Sequence, residues 1–158
     1  SGITITDERA QEIDFTDPYV DSNQSLVVLG TSSDTSTTLN VAGKKIACQS
    51  GTTGNDWIKE NMPLATCVPL DDAAAAMAGV ETGLYDGFVI DLPVSSNLIA
   101  QSFTDLKVAE EIPTGEQYGI AVSKDNPGLT EAINEALAKM KSDGTMDSIE
   151  TTWFGSTI

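Results

Sequence analysis

Short apolar strands alternate with helical segments between residues 24 and 114, and this alternation constrains the fold more than any other feature. Runs of β-branched and apolar residues predict strands at 25–29, 45–49, 64–68, 85–90 and 106–112. Helix starts are predicted at Thr52 or Thr53, at Asp71 and at Pro93. Strands joined through helices favour an α/β fold whose mostly parallel sheet is covered on both faces.

The flanking segments are shorter and less regular. The head of the chain predicts a strand at 3–5 and then a short helix capped by Thr6. The tail predicts a strand at 118–122 and an amphipathic helix at 127–141, whose apolar stripe we expect to be a packing face. The stripe consists of Leu129, Ile133, Leu137 and Met140. Head and tail together are too short to complete a sheet, so we expect part of what they pack against to be absent.

Two further expectations concern exposure to solvent. Residues 30–40 are rich in Ser, Thr and Asp and predict an exposed loop. Trp153 and Phe154, in a last short helix, are large apolar residues that we expect to lie in the core.

The charge and composition of the chain exclude several functions. Its 24 acidic and 8 basic residues give a formal net charge of −16, which disfavours binding to nucleic acid or to anionic lipid. The absence of histidine removes Ser-His-Asp and Cys-His catalysis and the commonest transition-metal ligand. Two cysteines cannot form a structural zinc site by themselves. We therefore expect neither a metal nor a cofactor.

Arg9 is the only arginine of the chain. Its planar guanidinium can donate two parallel hydrogen bonds to a carboxylate, which a lysine cannot do. With Thr6 as helix cap, Arg9 falls on the first helical turn. The alternative is that Arg9 pairs with one of the many surface acids, an interaction of little energetic value.

A second set of candidate groups lies in the α/β segment. Gly51, Thr52 and Thr53 open a helix, so the backbone N–H groups and the positive end of the helix dipole favour an anion there. Asp91 ends a strand, at the edge where open α/β sheets bind ligands. The alternatives are that the two threonines only cap a helix and that Asp91 only caps the next one.

The two cysteines, Cys48 and Cys67, fall in separate apolar runs. If these runs form neighbouring strands, their backbones lie about 4.8 Å apart, within the range of a disulfide. The alternative is a pair of buried free thiols that act as small apolar residues. A disulfide would imply a compartment outside the cytosol.

Six short segments carry a combined signal that none of them carries alone. They are ITITDER at 3–9, IDFTDPY at 13–19, GKKIACQSGTT at 43–53, GLYDGFVID at 83–91, YGIAV at 118–122 and KSDGT at 141–145. In order and spacing they resemble the bacterial extracellular solute-binding proteins of polar amino-acid ABC transporters. The resemblance implies a periplasmic-binding-protein-like clamshell that captures a free L-amino acid between two lobes and works with a membrane permease.

The resemblance also implies which residues bind the ligand. They are Thr4, Arg9, Gln49, Gly51, Thr52, Thr53 and Asp91. Arg9 corresponds to the arginine that binds the α-carboxylate, and Thr4 to a residue that helps to hold the ligand. Thr53, with the backbone before it, corresponds to the second carboxylate contact. Asp91 corresponds to the acid that accepts hydrogen bonds from the α-ammonium.

Set against that family, the chain lacks the first part of lobe 1. The resemblance implies that residues 1–23 end the first segment of lobe 1 and form a hinge, that 24–115 are a complete lobe 2, and that 116–158 are a hinge and the returning segment of lobe 1. We therefore expect a truncated form that binds an amino acid weakly or not at all. Dimerisation or exchange of segments between copies would bury the exposed stripe.

The function implied by the resemblance is that of a binding protein and not of an enzyme. It is extracellular or periplasmic, and lipid-anchored or secreted in its full-length form. Two alternatives share the scaffold: a ligand-sensing input domain of a receptor, and an enzyme such as a dehydratase or a lytic enzyme. An enzyme needs a positioned general acid or base, and Asp91 is the one cleft acid that the sequence offers.

Overall fold

The computed structural model describes residues 2–154, the last of them by its backbone alone. These residues form two compact units. Unit 1 combines the described residues up to Ser22 with those from Gly115 onward, and unit 2 is Asn23–Thr114. Within residues 2–154, no helix is both long and apolar enough to cross a membrane.

Unit 2 is built on a five-stranded sheet whose strands lie in the order β6-β5-β7-β4-β8. The strands are β4 (Gln24–Leu29), β5 (Lys45–Gln49), β6 (Thr66–Leu70), β7 (Gly87–Asp91) and β8 (Leu106–Ile112). Strand β5 pairs in parallel with β6 and β7, whereas β4 is antiparallel to both β7 and β8. The sheet is therefore mixed and mostly parallel, which confirms the predicted fold class.

Four helices accompany this sheet: α2 (Ser36–Leu39), α3 (Thr53–Asn61), α4 (Ala73–Glu81) and α5 (Leu92–Gln101). Alternate residues of β4 point to opposite faces, and each face has its own buried cluster. One cluster packs Leu26 of β4 with Ile58 of α3. The other packs Val27 of β4 with Met77 of α4. Both faces of the sheet are thus covered, as the alternation of strands and helices predicted.

Several details of unit 2 differ from the sequence prediction. The strands predicted at 64–68 and 85–90 lie at Thr66–Leu70 and Gly87–Asp91. The segment 30–40 is not wholly an exposed loop, because α2 forms within it and Leu39 is fully buried. Burial of one leucine, worth about 1.5–3 kcal/mol, anchors this otherwise polar segment. The cap of α4 is Asp72 and not Asp71, since the Asp72 side chain accepts a hydrogen bond from Ala75 N at 2.7 Å.

A polar link joins the start of β5 to the turn before β7. Asp86 accepts hydrogen bonds from Lys44 Nζ at 2.8 Å and from Lys45 N at 2.9 Å. Partial burial alone would raise the pKa of Asp86, but these two donors outweigh it and hold the pKa below its ordinary value. Asp86 therefore has a structural role: it links the start of β5 to the turn before β7.

Unit 1 contains small strand pairings and three helices. Strand β9 (Gln117–Gly119) pairs antiparallel with β1 (Ile3–Thr4) and with β3 (Val20–Asp21). Strand β10 (Ala121–Val122) pairs antiparallel with β2 (Asp14–Phe15). The predicted strand at 118–122 is therefore two short strands. The helices are α1 (Asp7–Ala10), α6 (Pro127–Ser142) and α7 (Thr145–Phe154).

The apolar faces of α6 and α7 are only partly covered in unit 1. Of the α6 stripe, Leu137 is buried, whereas Leu129 is 46% exposed. Trp153 is 63% exposed, so the expectation that it lies in the core is wrong for the described chain. The side chain of Phe154, for which the same was expected, lies outside the described residues.

Candidate functional site

The start of α3 is the first element of the candidate site in unit 2. Gly51 has a left-handed backbone, with φ of 68°, which turns the chain from β5 into the helix without steric cost. Thr52 is the helix cap: its Oγ1 accepts from Asn55 N at 3.3 Å and donates to Gln49 O at 2.8 Å. The prediction that a threonine caps this helix is confirmed for Thr52.

The Thr53 hydroxyl has a different partner from that of Thr52. Thr53 Oγ1 accepts a hydrogen bond from Gln24 Nε2 at 3.1 Å. The Thr52 hydroxyl thus caps its own helix, whereas the Thr53 hydroxyl is bonded to Gln24 of strand β4. The structure therefore separates two neighbouring residues that sequence alone treated together.

Asp91 ends β7 and stands at the cap position of α5, but its side chain makes no capping hydrogen bond. The interpretation of Asp91 as a helix cap is therefore wrong. Its Oδ1 instead accepts a hydrogen bond from Gln24 Nε2 at 2.7 Å. Asp91 is partly exposed at this edge of the sheet.

Gln24 joins these two groups and was not among the residues singled out from the sequence. Its side chain is fully buried, and its Nε2 atom donates to both Thr53 Oγ1 and Asp91 Oδ1. The antiparallel direction of β4 explains the position, since Gln24 is paired with Asp91 in the sheet. The available signal was a glutamine at the start of a strand that is mainly apolar, because a buried side-chain amide needs hydrogen-bond partners.

Gly54 leaves room for the Gln24 amide. A Cβ atom at Gly54 would lie 2.8 Å from Gln24 Oε1 and 3.2 Å from Val89 O. Real Cβ atoms do not approach other atoms as closely as the first of these distances. The first turn of α3 therefore packs so closely against the sheet edge that any larger residue at this position would displace the Gln24 amide.

A buried pair of serines holds the backbone on both sides of Asp91. Ser25 Oγ and Ser95 Oγ lie 2.7 Å apart, and both are fully buried. Ser25 Oγ lies within hydrogen-bond distance of Ile90 O, at 2.8 Å, and Ser95 Oγ of Leu92 O, at 3.0 Å. The carbonyls that flank Asp91 are thus fixed by side chains from β4 and α5, which limits how far the carboxylate can shift.

Gln49 lies near the same strand ends but is used locally. Its Nε2 atom donates to Asp71 O at 3.2 Å, and the backbone N of Ser50 donates to Leu70 O at 2.8 Å. These bonds tie the end of β5 to the end of β6. A contact between Gln49 and a ligand remains a prediction.

The structure brings together the two candidate residues of unit 1. Arg9 Nη1 donates to Thr4 O at 2.8 Å, and Arg9 N donates to the capping hydroxyl of Thr6 at 3.2 Å, which confirms Thr6 as the helix cap. Thr4 is buried, and its Oγ1 donates to Glu116 Oε2 at 3.1 Å. Glu116 is a second residue that sequence reasoning missed, since nothing local marks it as a partner of a threonine 112 positions away.

Cys48 and Cys67 also lie together, on the neighbouring strands β5 and β6. Their sulfur atoms are 3.3 Å apart, and both are free thiols in this structure. Burial raises the pKa of Cys48 to about 12, and the hydrogen bond to Cys67 adds to this shift. Cys48 is therefore an uncharged thiol at neutral pH.

Comparison with known proteins places this arrangement in context. The family model of bacterial extracellular solute-binding proteins, family 3, matches residues 1–156. The L-cystine-binding protein TcyJ of Escherichia coli strain K12 is 30% identical over 157 residues, which are 99% of this chain and 59% of TcyJ. ABC transporter arginine-binding protein 1 of the same strain is 35% identical over 159 residues, covering 98% of this chain and 64% of that protein.

A solved structure gives the same answer for the fold. The ancestral amino acid-binding protein AncCDT-1, a precursor of cyclohexadienyl dehydratase, superimposes with a TM-score of 0.89 at 34% identity. The match covers 98% of this chain and 67% of that one. This chain thus spans about 60% of the length of the curated relatives that it matches.

These matches run along almost the whole chain and agree with the α/β architecture and with the segments that carried the family resemblance. The related proteins named here are binding proteins, including the one that is described as the precursor of a dehydratase. The chain therefore belongs to the bacterial extracellular solute-binding proteins, family 3.

Proposed function

We propose that this chain carries ligand-binding groups of the amino-acid-binding component of an ABC transporter. Its ligand is a free amino acid, recognised through the α-ammonium and the α-carboxylate. Asp91 accepts hydrogen bonds from the α-ammonium, and Thr53 with the amides of Gly51 and Thr52 binds the α-carboxylate. The role requires binding and release, with no bond made or broken in the ligand.

The observation that carries the proposal is the shared hydrogen bonding of the Gln24 amide in unit 2. One nitrogen atom donates to both Thr53 Oγ1 and Asp91 Oδ1, so a helix start and a carboxylate are held side by side. A helix start favours an anion, and a carboxylate favours a cation. Neighbouring sites of opposite preference match a zwitterion better than they match a simple anion or a simple cation.

Arg9 is the group that we propose for unit 1. Its guanidinium is half-buried and is oriented by the carbonyl of Thr4, so part of its rotamer freedom is already lost before a ligand binds. As the only arginine of the chain, it is the one side chain that can bind a carboxylate with a planar fork of donors.

The names of the relatives support a ligand of this class. They bind cystine and arginine, whose side chains differ in size and charge. What these ligands share is the α-ammonium and the α-carboxylate, and those are the two groups that the proposed residues recognise.

The direct test is a calorimetric titration of the full-length protein, and of the 158-residue chain in parallel, with a panel of free amino acids. Each amino acid that binds is then tested as its N-acetyl derivative and as its carboxamide. We expect either modification to abolish binding, because each removes one of the two charges. Binding of a derivative with the affinity of the free amino acid would contradict the proposal.

Single-residue variants test which residue binds the α-ammonium and which binds the α-carboxylate. Asp91→Asn should lower the affinity for every bound amino acid by about 10- to 100-fold, and Arg9→Ala should do the same through the carboxylate. Asp56→Asn is the matched control, since Asp56 is an exposed acid of α3 whose bond is to Lys59. If Asp91→Asn and Asp56→Asn had equal effects, the assignment to Asp91 would be wrong.

The sequence also predicts that the 158-residue chain binds weakly by itself, and we retain this as part of the proposal. Its support is that the curated relatives are longer than this chain. Delivery to a membrane permease, outside the cytosol and from a lipid-anchored or secreted protein, is proposed on the strength of the family alone. Micromolar binding by the isolated chain would overturn the first of these points.

Homodimerisation or segment exchange remains a prediction. The exposure of Leu129 and Trp153 on α6 and α7 is consistent with it. Light scattering of the purified chain tests it, and a monomer at all concentrations would contradict it.

A further inference from the structure

The two cysteines lie in unit 2, beneath the first turns of α3. Strand pairing puts Cys67 opposite Ile46, so Cys48 lies two residues farther along the same face of the sheet. Cys48 belongs to the buried cluster on this face, and Cys67 packs against it. Their sulfur atoms are 3.3 Å apart, and a disulfide has a bond of about 2.05 Å, so the sulfur atoms must approach by a little more than 1 Å. Because the two cysteines are diagonal neighbours, the ends of β5 and β6 must also adjust to bring their Cα atoms within the range of a disulfide.

A third polar group contacts both thiols. Asn55 Oδ1 lies 3.3 Å from Cys67 Sγ and 3.5 Å from Cys48 Sγ. Asn55 is buried on the first turn of α3, where its backbone N donates to the capping hydroxyl of Thr52. The thiol pair therefore contacts a residue that helps to form the proposed carboxylate site.

The two thiols differ in their access to solvent. Cys48 is fully buried, whereas Cys67 is partly exposed. A reagent in solution can thus reach Cys67 first. Because Cys48 is uncharged at neutral pH, it reacts only in the rare moments when it is ionised, after Cys67 has been engaged.

We propose that Cys48 and Cys67 form an oxidation site at which exchange with a low-molecular-weight disulfide produces an intrachain disulfide between β5 and β6. The Cys67 thiolate attacks the disulfide, breaks its S–S bond and releases one thiolate, leaving a mixed disulfide on Cys67. The Cys48 thiolate then attacks Cys67 Sγ and releases the second thiolate as the new S–S bond forms. The cysteines lose two electrons, the external disulfide gains them, and the two cysteine protons end on the two released thiols.

The consequence of the bond concerns α3. Its loop encloses residues 49–66 and with them Gly51, Thr53 and the whole of α3. Closing such a loop restricts the unfolded chain and stabilises the fold. Oxidation also removes both S–H donors from Asn55 Oδ1. The extracellular setting of the family is one in which disulfides persist.

The test uses the purified chain, fully reduced and then incubated with glutathione disulfide. Free thiols are alkylated, the chain is digested with trypsin, and the peptides are identified by mass. Cleavage after Lys45, Lys59 and Lys107 puts Cys48 in peptide 46–59 and Cys67 in peptide 60–107. We expect these two peptides to be linked. We also expect the thermal midpoint to rise by roughly 5–10 °C and to return on reduction.

Single variants separate the two steps. Cys48→Ala should stop at a stable glutathione adduct on Cys67, and Cys67→Ala should give no adduct on the buried Cys48 of the native protein. Cys67→Ala also controls for stability, because its thermal midpoint should not respond to the oxidant. Since Cys67 is not fully buried, this variant should fold even if Cys48→Ala does not.

Two results would overturn the proposal. One is that both peptides are recovered alkylated and separate after oxidation of the wild-type chain. The other is that the wild type stops at the glutathione adduct on Cys67, with Cys48 still able to react with the alkylating reagent after unfolding. Neither result depends on amino-acid binding, so this proposal can fail while the proposed function stands.

Discussion

Gln24 Nε2 donates a 2.7 Å hydrogen bond to Asp91 Oδ1, and the two residues are also paired across the sheet. The side-chain bond therefore repeats a connection that the backbone already makes. A hydrogen bond to a carboxylate is stronger than one between neutral groups, and burial of the amide shields it from water. This places one oxygen of Asp91 in a fixed position before any ligand arrives.

Replacing the amide tests this relationship directly. Gln24→Leu keeps most of the volume but removes the donor, so Asp91 and Thr53 both lose their bond to it. We expect amino-acid affinity to fall by about 10- to 100-fold, the effect of about 1.5–3 kcal/mol for a hydrogen bond to a charged group. Titration calorimetry measures this.

A surface glutamine provides the control for that variant. Gln117 donates to Asp21 in unit 1 and is exposed, so Gln117→Leu makes the same chemical change outside the group formed by Gln24, Thr53 and Asp91. We expect it to leave the affinity unchanged within about twofold. An equal loss for both variants would show that Gln24 has no special role.

Gly54 should not tolerate even a methyl group. The added Cβ of Gly54→Ala would meet the Gln24 amide oxygen and a backbone carbonyl of β7. The amide cannot rotate away without losing its hydrogen bonds to Thr53 and Asp91. We expect the free energy of unfolding to fall by about 1–3 kcal/mol and ligand affinity to fall with it. Urea denaturation measures the first effect.

Gly128 is the matched control for Gly54. It also lies in a helix, α6, but its Cβ would meet nothing within 4 Å. Gly128→Ala should therefore be neutral or should stabilise the chain by up to about 1 kcal/mol, because alanine favours a helix. A destabilisation as large as that of Gly54→Ala would contradict the steric explanation.

Variants of Thr52 and Thr53 should affect different properties, the first mainly stability and the second mainly ligand affinity. Thr52→Ala removes the cap of α3 and should lower the free energy of unfolding by about 1 kcal/mol. Thr53→Val keeps the shape but removes the hydroxyl that is bonded to Gln24, and it should lower affinity more than stability. Thermal unfolding and calorimetry on both variants distinguish the outcomes, and identical profiles would leave only a structural role for Thr53.

Asp86 should govern part of the acid stability of unit 2. Its pKa is lowered in the folded chain, so its ionised form stabilises the fold above the ordinary carboxyl pKa of about 3.8, and this contribution is lost as the pH falls through the folded pKa. Asp86→Asn should therefore be less stable than the wild type at pH 7, and the difference should shrink below about pH 4. Denaturation curves at several pH values test this, and a difference independent of pH would contradict it.

The strands and helices of unit 2 were predictable because each carries its own local signal. The alternation of apolar runs with capped helices predicted the sheet, and Thr52 was predictable as a cap from its position before a helix. The burial of Leu39 was not predictable, since its polar surroundings carry no periodicity and only the assembled core buries it. The predicted cap of α4 was wrong by one residue, because the adjacent Asp71 and Asp72 give the same capping signal.

Candidate residues of the site were predictable, but the links between them were not. Asp91 stood out as an acid at a strand end. Gln24 contacts Asp91 only because β4 runs antiparallel to β7. The residues of a strand do not by themselves indicate its direction in the sheet. The contact between Thr4 and Glu116 likewise spans 112 positions and forms only when β1 pairs with β9. Side-chain bonds of this kind follow from topology.

The reversed direction of β4 has a consequence for how the chain can vary. Unit 2 begins at Asn23, so the entering strand delivers Gln24 to Asp91 one residue after the boundary. Successive residues of a strand face opposite sides, and inserting a single residue here would swap the roles of Gln24 and Ser25. An insertion within β4 would therefore break the bond between Gln24 and Asp91, and insertions in homologous chains should fall outside this strand.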